Sequence, residues 1–157
     1  MSWLAPITAA FFFAGLISQM TVWAESVGGA GWSGAVQSAA AQRALAAEVF
    51  AAACVEAALE DSGAVSSSIN VTLPTGVILP TNAVCMTTEA SSGRNVYAYV
   101  PSVPGAAAQI VSNTLSDLSW YAVRTAGTAT SLVTGSTASV SSSIPKGYLL
   151  NWVLVDP

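Results

Sequence analysis

Reactive chemistry in this chain has few places to start: two cysteines, eight acidic residues, four basic residues and no histidine. Cys54 and Cys85 stand too far apart for a CxxC redox or metal motif. In an oxidising compartment they would form a disulfide. It would close a loop of about 30 residues and add roughly 3 kcal/mol in the chain-entropy model. In the cytosol the same pair would be two buried, reduced thiols. Glu56, Glu60 and Asp61 cluster where a helix should end. That cluster suggests a cation site or, more simply, a solvated polar face, although acids at a helix C-terminus oppose its dipole. Lys146 could activate one of the many serines, but in Pro145-Lys146-Gly147 it reads as a surface turn residue. The missing histidine removes imidazole acid–base catalysis and the usual zinc sites. No glycine-rich loop precedes a Lys-Ser or Lys-Thr pair, so nucleotide binding has no support. Asn70-Val71-Thr72 matches a glycosylation sequon, a pattern frequent by chance. The expectation is a non-enzymatic protein with no catalytic, cofactor-binding or metal-binding residue.

Composition narrows the class further. Only 8% of the chain is charged and 53% is hydrophobic, against an average near 25% charged. A disordered acidic tail is excluded, because such chains are poor in apolar residues. The net charge of −4 without a basic cluster leaves nothing to neutralise phosphates, which excludes nucleic acid as a partner. So few charges suit a chain that is part membrane segment and part assembly subunit.

The apolar excess is concentrated at the N-terminus. Trp3 to Trp23 contain no ionisable side chain, and the first charge is Glu25. A helix of that length covers about 30 Å, the thickness of a bilayer's hydrocarbon core. Phe11, Phe12, Phe13, Leu16 and Ile17 form its apolar middle, and Trp3 and Trp23 stand where interfacial tryptophans belong. Residues 1–24 therefore read as a single-pass membrane anchor. The alternatives are a signal peptide cleaved after Val22-Trp23-Ala24 and, in a soluble chain, a buried hairpin or core helix. The α-amine before the span and Glu25 after it favour a body on the export side. A prepilin reading fails on two points: no basic leader is present, and cutting after Ala10 places Gly15, not a glutamate, at the fifth position.

Residues 25–36, with Gly28, Gly29, Gly31 and Gly34, form a glycine-rich joint, and residues 37–157 form the exported domain. Helical spacing begins near Gln37 and runs to Leu59, with Leu45, Val49, Ala52 and Leu59 in register and Phe50, Ala53 and Ala57 beside them. Asp61-Ser62-Gly63 stops it. Ser67–Leu73 alternates as a strand, which leaves Cys85 in a following loop. Asn95–Val100 is a strand with Tyr97 and Tyr99 on one face and Val96, Ala98 and Val100 on the other. After Pro104-Gly105 a short helix carries Ala106, Ala107, Ile110, Val111 and Leu115 and ends near Leu118. Further strands are expected at Trp120–Thr125, Ser131–Thr134, Thr137–Val140 and Leu149–Val155. With no regular strand–helix alternation, the class is α+β with a mainly antiparallel sheet.

This outline resembles the PilM family of type IVb and conjugative thin-pilus systems, which is unrelated to the actin-like ATPase of the same name. The resemblance rests on the N-terminal span opening Met1-Ser2-Trp3 and the Ala/Gln-rich helix Gln37–Leu59. It continues through Val71-Thr72-Leu73-Pro74-Thr75-Gly76, Val96-Tyr97-Ala98-Tyr99 with Pro104-Gly105, and Ile144-Pro145-Lys146-Gly147. It implies a small inner-membrane protein of pilus biogenesis with its body in the periplasm and no cofactor. Its partners would be other pilus-assembly or secretion proteins, the lipid bilayer and a second copy of the chain. Sheet edges and an apolar helix face would make the contacts. A minor pilin within an extracellular filament and a secreted adhesin are the alternatives.

Overall fold

A computed structural model describes residues 32–61 and 63–155. The anchor residues Trp3, Phe11, Phe12, Phe13, Leu16, Ile17 and Trp23 lie outside them. The fold is α+β: among the described residues it has two helices and a curled, antiparallel, six-stranded sheet. Helix α1 spans Trp32–Glu60, so it starts ahead of the Gln37 expected from the pattern and takes in the end of the proposed joint. The compact body begins at Ala40, and the described residues before it, 32–39, fall in a separate unit. Among the described residues no helix is long and apolar enough to cross a membrane.

The face of α1 that packs is not the one its leucines suggest. Ala40, Ala44, Ala47, Ala51, Cys54 and Ala58 are buried, with Phe50 and Ala53 beside them. Leu45 and Leu59 are 54% and 56% exposed. Steps of four and three place the alanines on one stripe. The sheet supplies the bulk that packs against this stripe, from Val96, Val100, Trp120 and Leu149.

The expected strand Ser67–Leu73 is not a strand. Its alternation is real, since Ile69, Val71 and Leu73 pack on the core. The segment follows strand β1 (Val84–Ala90) through two backbone bonds, Thr87 N–H to Ser66 O at 2.9 Å and Ile69 N–H to Cys85 O at 2.8 Å. It thus covers a sheet edge that would otherwise stand open. Cys85 consequently lies on β1, not in a loop.

Strand β2 (Gly93–Pro101) pairs with β1 and, on its other side, with β6 (Tyr148–Val155). Its two faces divide as the alternation predicts. Strands β3 (Trp120–Thr125), β4 (Thr128–Ser131) and β5 (Thr137–Ser139) continue the sheet in the order β1-β2-β6-β3-β4-β5. The last strand in sequence therefore joins two antiparallel halves. β4 ends where the sequence expected a strand to begin, because Ser131 Oγ accepts from the N–H groups of Val133 and Thr134 and turns the chain.

Helix α2 (Ala106–Asn113) stops short of the expected Leu118. Leu115 and Ser116 adopt left-handed backbone angles, and Leu115 is 89% exposed. Gly105 precedes the helix at φ +82°, and a Cβ there would stand 3.1 Å from the Ala40 Cβ. Only glycine meets both demands.

The second face of the sheet has its own core of Met86, Tyr97, Tyr99, Val123, Ala129 and Leu150. No helix covers it. The chain between β5 and β6 folds across instead and inserts Ile144, which is 0% exposed. Trp152 lies 5.7 Å from both Tyr97 and Tyr121, centroid to centroid.

Candidate functional site

Cys54 and Cys85 form a disulfide, with Cα atoms 5.5 Å apart. Both residues are buried in the main core. The bond ties the C-terminal third of α1 to the first residues of β1, so that part of the helix is fixed over the β1–β2 side of the sheet.

A second fixture was not expected from the sequence. Arg94, at the start of β2, is only 4% exposed. Its Nη1 donates to Asp61 O at 2.9 Å and Ala64 O at 3.0 Å, and its Nη2 donates to Ala58 O at 2.9 Å. The last carbonyls of a helix lack partners of their own and carry its negative end. Arg94 thus caps α1 from the sheet. Its Nε is buried without a partner. Period-two spacing carries the signal for this site: Arg94 falls on the same strand face as Val96, Ala98 and Val100.

The acidic residues at that helix end do not form a cation cage. Glu56, Glu60 and Asp61 are exposed, and among the described residues no group of His, Cys, Asp or Glu is placed to hold a metal ion. Glu56 and Glu60 line a shallow hollow with Asn70 and Thr72. Asn70 itself is exposed on the covering segment. Glu48 has a different role: its Oε1 accepts from Asn113 Nδ2 at 3.0 Å and links α1 to α2.

A broad concavity lies beside α2. A groove of about 660 Å³ runs between α2 and the β3–β4 pair, floored by Ala107, Val111, Ala122 and Leu132. A hollow of about 600 Å³ continues it and shares Ala107, Ala122, Arg124 and Leu132. Arg124 and Lys146 are exposed on its rim, and among the described residues no carboxylate lines either part. Ser102 borders the same hollow as Lys146, and its N–H donates to Gly147 O at 2.8 Å. A serine–lysine nucleophile pair needs a desolvated lysine; here both side chains are exposed. Arg124 was not singled out by sequence reasoning, since an isolated arginine near a strand end gives no signal without knowledge of what faces it.

Burial raises the phenol pKa of Tyr97, partly offset by a hydrogen bond with Thr88, and burial together with nearby Tyr148 raises that of Tyr99. These groups are protonated, aromatic members of the second core.

Fold and site define a disulfide-tied α+β body that presents a cationic groove and an acidic helix end. No family model matches the chain, and no curated protein or solved structure matches it.

Proposed function

We propose that this protein is a membrane-anchored, non-enzymatic component of type IVb (thin) pilus biogenesis or a related secretion or conjugation machine. It acts by protein–protein contacts. Residues 1–24 hold it in the bacterial inner membrane, and the body stands in the periplasm among other assembly proteins.

The observation that carries this reading is the Cys54–Cys85 bond. Structural disulfides persist in oxidising compartments and are rare in the cytosol, so the bond favours an exported body. An apolar, uncharged segment from Trp3 to Trp23 preceding that body supports a tether. The order of motifs from Val71-Thr72-Leu73-Pro74 to Ile144-Pro145-Lys146-Gly147 supports the thin-pilus assignment. Exposed Leu45 and Leu59 on α1 and the groove beside α2 supply surfaces for docking.

Cell fractionation combined with thiol alkylation before and after reduction tests the proposal. The expected result is an inner-membrane protein at full length whose cysteines react only after reduction, with crosslinks to other assembly proteins. Recovery from the cytosol with two free thiols would overturn it. Recovery from sheared filaments with a trimmed N-terminus would replace it with a minor pilin.

A further inference from the structure

We propose that the groove beside α2 receives the C-terminal turn of α1 from a second copy of the chain, so that copies associate head to tail. Leu59 enters the apolar floor, while Glu56 and Glu60 meet Arg124 and Lys146.

Among the described residues, neither half of this contact has a counterpart within its own body. Among the same residues, the groove combines an apolar floor with two exposed cations and no carboxylate. Those cations are two of only four basic residues in a chain of net charge −4. Of the others, Arg94 is buried against carbonyls, and Arg43 lies on a separate hollow. The helix end is the complement. Leu59 is 56% exposed between Glu56 and Glu60, which share a face one turn apart. Like charges at that spacing repel, and carboxylates near a helix C-terminus are unfavourable. Arg94 approaches the same turn but directs its guanidinium to backbone oxygens. Sequences tend to break local rules of this kind where a site demands it.

The geometry sets the mode of association. The disulfide fixes α1 to β1, whereas the groove borders β3 and β4, with β2 and β6 intervening in the sheet. The turn cannot reach its own groove while the body is folded. A contact between unlike surfaces is heterologous and propagates into a ring or an open row. The inference rests on the contact-making role proposed above.

The test uses full-length protein extracted in mild detergent, mixing ¹⁵N-labelled and unlabelled copies. A carbodiimide condenses a carboxylate with an amine held against it, and Lys146 carries the chain's only side-chain amine. Hybrid peptides joining Lys146 of one copy to Glu56 or Glu60 of another are expected. The double variant Arg124→Glu/Lys146→Glu should lose self-association at least tenfold, as should Glu56→Lys/Glu60→Lys. Mixing the two variants should restore it, since each then offers the charge the other lacks. All four side chains are exposed, and the Cys54–Cys85 bond reports folding in each variant. Hybrids absent in the parent, or association unchanged in both variants, would overturn the inference. If Lys146 is crosslinked in cells only to a different assembly protein, self-docking fails and the assembly role stands. Cytosolic recovery with free thiols would defeat that role instead.

Discussion

Replacing Arg94 tests the logic of the fold most directly. Arg94→Met keeps much of the aliphatic stem and removes the three hydrogen bonds to Ala58, Asp61 and Ala64. Ala58 is the deepest of these, being 0% exposed, and leaving one buried carbonyl unpaired costs about 1–3 kcal/mol. Asp61 and Ala64 are exposed, so their carbonyls can turn to water at small cost. Removing a cation from a helix C-terminus costs about 0.3–2 kcal/mol. Against this, the variant no longer desolvates a guanidinium with an orphaned Nε. The two costs together give a net expected loss of about 2–4 kcal/mol. For a body of this size that lowers the thermal midpoint by about 10 °C. Urea or thermal unfolding of the oxidised full chain in detergent measures the loss, and hydrogen exchange localises it. The amide of Asp61, bonded to Ala57 O at 3.3 Å, should lose protection before the sheet does. Arg94→Lys should recover only part, because an ammonium cannot span three carbonyls as a planar fork does. Stability within about 0.5 kcal/mol of the parent, with the last turn still protected, would refute the capping role.

Other consequences follow from the same structure. Cys54→Ala/Cys85→Ala should lose about 3–4 kcal/mol by chain entropy, given the separation of 31 residues; a change below about 1 kcal/mol in urea unfolding would count against the tie. Ile144→Ala should cost about 2–5 kcal/mol by leaving a cavity and should shift Trp152 emission, because Ile144 and Trp152 belong to the same second core; unchanged emission and midpoint would show that the covering loop contributes nothing. The raised pKa values of Tyr97 and Tyr99 mean that the folded state holds the phenol protons more tightly than the unfolded chain. Their contribution is fully present below the unfolded value of about 10 and is lost as pH rises through the folded values. Tyr97→Phe/Tyr99→Phe should flatten that alkaline fall, and an unchanged slope would contradict it.

Sequence alone settled the features that depend on local periodicity. Alternation separated Tyr97 and Tyr99 from Val96, Ala98 and Val100, and helical spacing found α1 and α2, because those patterns repeat within a few residues. The two cysteines were visible as a pair with a compartment-dependent fate. Tertiary structure decided the matters that depend on distance. Which face of α1 is buried turned on the fit to the sheet, and a stripe of alanines with Phe50 and Cys54 won over Leu45 and Leu59. The alternating segment after α1 became an edge cover, while β1, whose Val84–Ala90 run mixes polar and apolar residues, became the paired strand. The capping of α1 by Arg94 and the meeting of Arg124 with Lys146 across one groove join residues from separate elements. Such meetings are fixed only when β6 closes the sheet, since a strand pairing selects its partner by packing and hydrogen bonds far along the chain, and no local pattern records that choice.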